Sequence, residues 1–179
     1  SNLLSSISTD TELVLIGEES VLEAYKPDLD PDQHSQLSFI PASQVIEMGE
    51  SPTKAFNNKP DASMAVGLNH LAKNQLDVLI SAGNTGALMV GSLYTVKPIT
   101  GVMRPPLTTL VPKPDGNFGI ILDVGANPDC KPEVLQQFGI LGSMYLNSVY
   151  NLDQPRVGLL NIGTEPEKGN VNAQNTYRY

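Results

Sequence analysis

The alternation of apolar runs with helix-length segments is what most restricts the fold of this chain. Six strand-length runs punctuate the sequence: Glu12–Gly17, Leu37–Ile40, Asp77–Ala82, Leu107–Val111, Gly119–Asp123 and Arg156–Asn161. Several are apolar throughout rather than polar at every second position, as central strands covered on both faces require. Between them lie predicted helices at Ser20–Tyr25, Ser63–Asn74, Thr85–Val96 and Pro132–Val149, and another begins after Arg156–Gly163. Met64, Val66, Leu68 and Leu71 share overlapping faces of the second helix. The third is apolar nearly all round and so is predicted to be buried. Pro132 followed by Glu133 suits a helix start. Pro27–Gln36, with its Pro and Asp residues, reads as an exposed loop. The expectation is an α/β fold with one mainly parallel sheet and helices on both faces.

A chain of 179 residues holds one domain or most of a larger α/β unit, and residues 1–179 read as part of a single α/β domain of a longer chain. The formal net charge of −8 argues against nucleic acid, whose backbone needs a cationic surface, and mildly against docking on an anionic membrane. A single cysteine, Cys130, rules out an internal disulfide and fits a reducing compartment. No run approaches the roughly 20 apolar residues of a membrane-spanning helix, and a cytoplasmic location is the expectation. His34 and His70 stand far apart with no carboxylate or cysteine at ligand spacing, so a two-histidine metal site is not expected.

In open α/β sheets ligands gather beyond the carboxyl ends of the strands, and four runs lead into loops rich in glycine and polar residues. Asp77–Ala82 feeds Gly83-Asn84-Thr85-Gly86, where free N–H groups at a helix start can face an anion. An ordinary glycine-assisted turn with an asparagine cap fits the same residues. Gly119–Asp123 feeds Val124-Gly125-Ala126-Asn127-Pro128-Asp129, a mixture that suits binding a metal, orienting a lysine or closing a turn. Asp123 ends an apolar strand and is the more suggestive acid. The third loop runs from Asn161 through Glu165 and Glu167 to Lys168, Gly169 and Asn170. Lys168 can serve as a positive clamp or proton donor, although a solvated lysine paired with a neighbouring glutamate is the commoner state. Leu37–Ile40 leads through Glu47 and Glu50 to Ser51-Pro52. Cys130 lies between Asp129 and Lys131, which could lower its pKa, but a packing role at a helix start suits it better.

Taken together these loops resemble those of the phosphate acyltransferase (PlsX) family. Ser81-Ala82-Gly83-Asn84-Thr85-Gly86-Ala87-Leu88 is similar to the family's hallmark loop. So are Leu122-Asp123-Val124-Gly125-Ala126-Asn127 and Asp129-Cys130-Lys131-Pro132-Glu133 to its next blocks. Pro155-Arg156-Val157-Gly158-Leu159-Leu160-Asn161-Ile162-Gly163 leading into Glu167-Lys168-Gly169-Asn170 is a further match, as is Val45-Ile46-Glu47-Met48 with Ser51-Pro52 and Lys54-Ala55. The blocks stand in family order and cover nearly the whole chain beyond its first few residues.

The resemblance implies a three-layer α/β/α subunit of the isocitrate/isopropylmalate dehydrogenase-like group, usually a homodimer. It implies an enzyme that converts long-chain acyl-carrier protein and inorganic phosphate to acyl phosphate in bacterial phospholipid synthesis, with no cofactor and no metal. A cytoplasmic location is implied, with peripheral contact at the inner membrane face through a half not found here. The family's opening strand with a Met-Gly-Gly-Asp loop and its later Asp-Gly-Phe-Thr-Gly-Asn loop are also not found in this sequence, so a fragment, inactive alone, is expected. After Lys54-Ala55 the family tends to be rich in Arg and Lys, whereas Phe56-Asn57-Asn58-Lys59 offer an acidic carrier protein less charge.

Lys168 matches the lysine the family is thought to use in catalysis, and Asn161 and Asp123 join it as candidate catalytic residues. Gly83, Asn84, Thr85, Gly86, Asn127 and Asn170 are the candidate substrate-binding residues. Two other readings remain beside this one: a coenzyme-A-dependent phosphotransacetylase on the same fold, and a noncatalytic module that binds an anion or carrier protein. A metal-dependent dehydrogenase of the fold group is weaker, because no metal-binding carboxylate set is evident.

Overall fold

The computed structural model describes residues 8–25 and 36–178; the exposed loop expected at 27–36 lies outside them except for Gln36, and so does His34. By internal contacts the chain divides into two compact units, Ser1–Lys97 and Pro98–Tyr179.

In the first unit, β1 (Leu13–Gly17), α1 (Glu19–Tyr25) and β2 (Leu37–Pro41) form a parallel strand–helix–strand element, with Leu13 opposite Leu37 and Gly17 opposite Pro41. Three helices follow: α2 (Pro52–Asn58), α3 (Ser63–Ala72) and α4 (Thr85–Thr95). α2 is too short to show a periodicity, and its start is marked by Pro52 in the first turn. Ile46, Ala55, Ala62, Met64, Leu68 and Ala87 form the buried core, with Phe56, Leu71, Leu79 and Leu88 packed against it. Close approach depends on glycine. A Cβ on Gly91 would run into the Phe56 ring and stand 2.5 Å from Leu68 Cδ1, so α4 could not sit where it does with a larger residue there.

Asp77–Ala82 has no ladder partner among the described residues. Its side chains still alternate as in a strand: Leu79 packs on the core, while Val78 and Ile80 are 70% and 89% exposed. The expected burial of α4 holds only for Ala87 and Gly91, and Tyr94 near its end is exposed. The apolar surface of this helix exceeds what its neighbours within the unit cover.

In the second unit, β3 (Thr108–Pro112) and β4 (Phe118–Leu122) pair antiparallel, Thr108 opposite Leu122 and Pro112 opposite Phe118. One mainly parallel sheet was the expectation, and this pair departs from it. A parallel return needs a crossover of about a dozen residues or more, whereas Lys113–Asn117 is a tight turn. In it the Lys113 N–H donates to Asn117 O at 2.8 Å, Asp115 accepts from the Asn117 N–H, and Gly116 takes φ +82°.

α5 (Pro132–Tyr150) buries Val134, Phe138, Gly142 and Leu146 at four-residue spacing. Gly142 is the close approach here, since a Cβ on it would lie 2.8 Å from Leu122 Cδ1 on β4. Asn151, at φ 52°, ends the helix in the left-handed conformation that asparagine tolerates. Arg156–Asn161 makes no ladder among the described residues, and Val157 and Leu160 are exposed. The helix that begins after it is α6 (Val171–Thr176). No described helix is long and apolar enough to cross a membrane.

Candidate functional site

Asn84 is the N-cap of α4. Its Oδ1 accepts from the Ala87 N–H at 3.0 Å, and the Leu88 N–H donates to Asn84 O at 3.0 Å. The N–H groups of Thr85 and Gly86 have no hydrogen-bond partner among the described residues. Thr85 is exposed, so its hydroxyl and these two N–H groups are the open donors at the helix start. Gly83 N–H donates to Ser81 Oγ at 3.2 Å. Gly86 is required by packing, because a Cβ on it would approach within 2.5 Å of Pro52 Cγ.

The Asn84 side chain also reaches across the unit. Its Nδ2 donates to the carbonyls of Glu47 (3.2 Å), Met48 (3.1 Å) and Glu50 (3.1 Å), and the residue is only 6% exposed. Lys59 grips the same segment from the other side, donating to Val45 O at 2.7 Å and to both Glu50 carboxylate oxygens at 2.7 and 2.8 Å. The Lys59 hydrogen bond, followed by the Glu47 N–H, holds the Glu50 carboxyl below its ordinary value. Neither Lys59 nor the tie from Asn84 to the Glu47–Glu50 turn is visible in the sequence pattern. Lys59 is nine residues beyond Glu50, on the far side of α2. Lys54 on α2 is exposed and makes no ion pair with the described residues.

In the second unit Asp123 closes a turn. Its Oδ1 accepts from the Leu107 N–H and its Oδ2 from the Asn127 N–H, each at 2.6 Å. Asn127 Nδ2 donates to Pro105 O at 3.2 Å, and Arg104 Nη1 to Asp129 O at 3.1 Å. These bonds tie the segment before β3 to the loop after β4. Cys130 lies against this loop, its Sγ 3.7 Å from Asn127 O, and burial pushes the thiol up despite Arg104 nearby. The lowered pKa considered for it does not arise, because desolvation outweighs the neighbouring cation.

The third loop is stapled by its own polar side chains. Asn161 Nδ2 donates to Lys168 O at 3.0 Å while its Oδ1 accepts from the Ile162 N–H at 2.9 Å. Gln174 Nε2 donates to Glu167 O at 2.6 Å, and Asn170 caps α6 through the Ala173 N–H at 2.8 Å. Gly169 takes φ +85°, and a Cβ on it would meet the Asn161 carboxamide. Asn161 and Lys168 are thus brought together, through the Lys168 backbone. The Lys168 side chain is exposed, and its ammonium makes no ion pair or hydrogen bond with the described residues, Glu165 and Glu167 included. Among the described residues no three His, Cys, Asp or Glu side chains gather where they could hold a metal ion.

Among the described residues of the candidate loops, the open groups are donors at the start of α4 that suit an anion and the Lys168 ammonium on a closed loop. A family model described as fatty acid synthesis protein matches residues 3–179. A protein of Thermoanaerobacter pseudethanolicus named phosphate acyltransferase is 44% identical over 161 residues, covering 90% of this chain and 47% of that protein. Proteins of the same name from Lysinibacillus sphaericus and Dictyoglomus thermophilum are each 41% identical, over 93% and 92% of this chain. The chain spans about half the length of the curated relatives it matches.

Proposed function

The chain belongs to the fatty acid synthesis protein family, and on that premise we propose that the whole protein is a phosphate acyltransferase. It converts long-chain acyl-[acyl-carrier protein] and inorganic phosphate to acyl phosphate and free carrier protein in bacterial phospholipid synthesis. The observation that carries this reading is the name shared by relatives 41–44% identical across at least 90% of the chain.

In the reaction a phosphate oxygen bonds to the thioester carbonyl carbon, the C–S bond breaks, and sulfur leaves as a thiolate that is then protonated. The Thr85 hydroxyl and the N–H groups of Thr85 and Gly86 suit phosphate oxygens, with Gly83 and Gly86 letting Met64 and Pro52 pack against the loop. The Lys168 ammonium suits the oxyanion of the tetrahedral intermediate. Asp123, Asn127, Asn161 and Asn170 contribute by holding the loops that carry them. Positioning two reactants can supply roughly 7–11 kcal/mol, so no covalent enzyme intermediate is needed.

In the same reading residues 1–179 are part of one three-layer α/β/α domain of the isocitrate/isopropylmalate dehydrogenase-like group. The parallel β1–α1–β2 element supports this, as do the exposed apolar runs at 77–82 and 156–161, which suit strands of a larger sheet. The full protein is a cytoplasmic homodimer that docks an acyl-carrier protein and touches the inner membrane face peripherally.

The test is acyl-phosphate formation by the full-length protein from long-chain acyl-carrier protein and phosphate. Product is expected from the full-length protein and not from residues 1–179 alone. Turnover with coenzyme A thioesters but none with the carrier protein would turn the reading to a phosphotransacetylase. Absence of any phosphate-dependent product would leave a binding module.

A further inference from the structure

Asn84 uses its two ends differently. Oδ1 serves its own helix through the Ala87 N–H, whereas Nδ2 faces three carbonyls of the Glu47–Glu50 segment at 3.1–3.2 Å. The amide cannot be turned over, because Oδ1 would then confront three carbonyl oxygens and Nδ2 would confront an N–H. The segment makes a turn of its own, with the Glu50 N–H donating to Glu47 O at 3.2 Å and the Glu47 N–H to Glu50 Oε2 at 2.8 Å. Lys59 fastens it from outside and Asn84 from inside. Pro52, just beyond it, closes on Gly86. The turn is therefore seated next to the open N–H groups of Thr85 and Gly86.

We infer that Asn84 is a positioning residue rather than a phosphate contact: it fixes the Glu47–Glu50 turn against the start of α4, and the turn sets how well phosphate is held there. This rests on the phosphate acyltransferase reading. A buried carboxamide whose donors are spent on backbone carbonyls has no donor left to offer a phosphate. Untying the turn, by contrast, changes one wall of the site, and loss of Lys59 also releases the Glu50 carboxylate beside it.

The test uses the full-length protein. Asn84→Asp keeps the cap acceptor and removes the donor; Asn84→Ser keeps a shorter cap and serves if the buried carboxylate prevents folding. Lys59→Met unties the turn from the other side. Initial rates of acyl-phosphate formation are measured against inorganic phosphate for the single and double variants, together with amide hydrogen exchange at Glu50 and Ala87. Each single variant is expected to raise KM for phosphate by roughly tenfold, the scale of one or two lost hydrogen bonds, with a smaller change in kcat. The double variant should be no worse than the poorer single, because both changes act through one turn. The Glu50 N–H should exchange faster in every variant, while Ala87 stays protected in Asn84→Asp. Additive effects on KM, an unchanged KM, or a raised KM with Glu50 exchange as in the wild type would each overturn the inference. Wild-type protein without phosphate-dependent turnover would overturn the functional reading and the role of the turn in phosphate binding, and the exchange rates would still decide whether Asn84 ties the turn.

Discussion

The two loops with open donors are held in opposite ways. Gly83–Gly86 leans on a buried asparagine whose amide nitrogen donates to carbonyls 34–37 residues away in sequence, with Met64, Leu68 and Ala87 in the core behind it. Asn161–Asn170 is closed locally: Asn161 reaches the Lys168 carbonyl and Gln174 the Glu167 carbonyl, each seven residues off, and Lys168 itself is exposed. Ties that belong to core packing open only when that packing opens, whereas local ties open one at a time. Backbone donors gain from the first arrangement, since an anion then finds them already in place. A lysine that delivers charge at the end of a long side chain can accept the second.

Lys168→Ala should show the largest effect. On the proposed role of Lys168 at the oxyanion, its loss is expected to lower the rate of the full-length protein on the order of 10²–10³-fold. The cost in stability should stay within about 0.5 kcal/mol, as for an ordinary exposed side chain. Lys168→Arg should restore part of the rate, because a planar guanidinium places its donors elsewhere. Initial rates and thermal melts of both variants check this, and an alanine variant that keeps most of its rate would make Lys168 a solvated loop residue.

Gly91→Ala should behave the other way round. The added methyl meets the Phe56 ring and Leu68 behind the first loop, and overpacking of this kind costs about 1–3 kcal/mol. A lower urea midpoint is expected, with the rate per folded molecule near that of the wild type. A wild-type midpoint would mean that α4 shifts freely and that the first loop is no more firmly founded than the second.

The smallest effect is a pH dependence in the turn beside the first loop. Lys59, and after it the Glu47 N–H, keeps the Glu50 carboxyl below the ordinary glutamate value of 4.5. A depressed carboxylate stabilises the folded state above its unfolded pKa and loses that contribution as pH falls through its folded pKa. The stability gap between wild type and Glu50→Gln should therefore be constant above about pH 5 and shrink in the acid range below it. Urea midpoints from neutral pH downward follow it, and a gap that widens toward acid would contradict the assignment.

The same contrast separates what was legible in the sequence from what was not. β1, β2, α3, α4 and α5 fall within a residue or two of their apolar runs and start signals, because those signals are local. The antiparallel β3–β4 pair was equally open to reading: a turn as short as Lys113–Asn117 cannot return a parallel strand. Asp77–Ala82 and Arg156–Asn161 carry strand-like apolar residues without a ladder among the described residues, and a ladder depends on a partner strand that no local pattern supplies. At the candidate site, Asn84 was readable as a cap from its place before a helix. The carbonyls that Asn84 gathers from Glu47, Met48 and Glu50 were not, since they come from a turn placed only by tertiary packing.

The most direct measurement is amide hydrogen exchange of the full-length protein with and without saturating inorganic phosphate. Without phosphate, Thr85 and Gly86 should exchange far faster than Ala87, whose N–H is held by Asn84 Oδ1 at 3.0 Å. Phosphate should slow Thr85 and Gly86 and leave Ala87 as it was. Thr85 and Gly86 amides that exchange equally fast in both conditions would contradict phosphate binding at the start of α4.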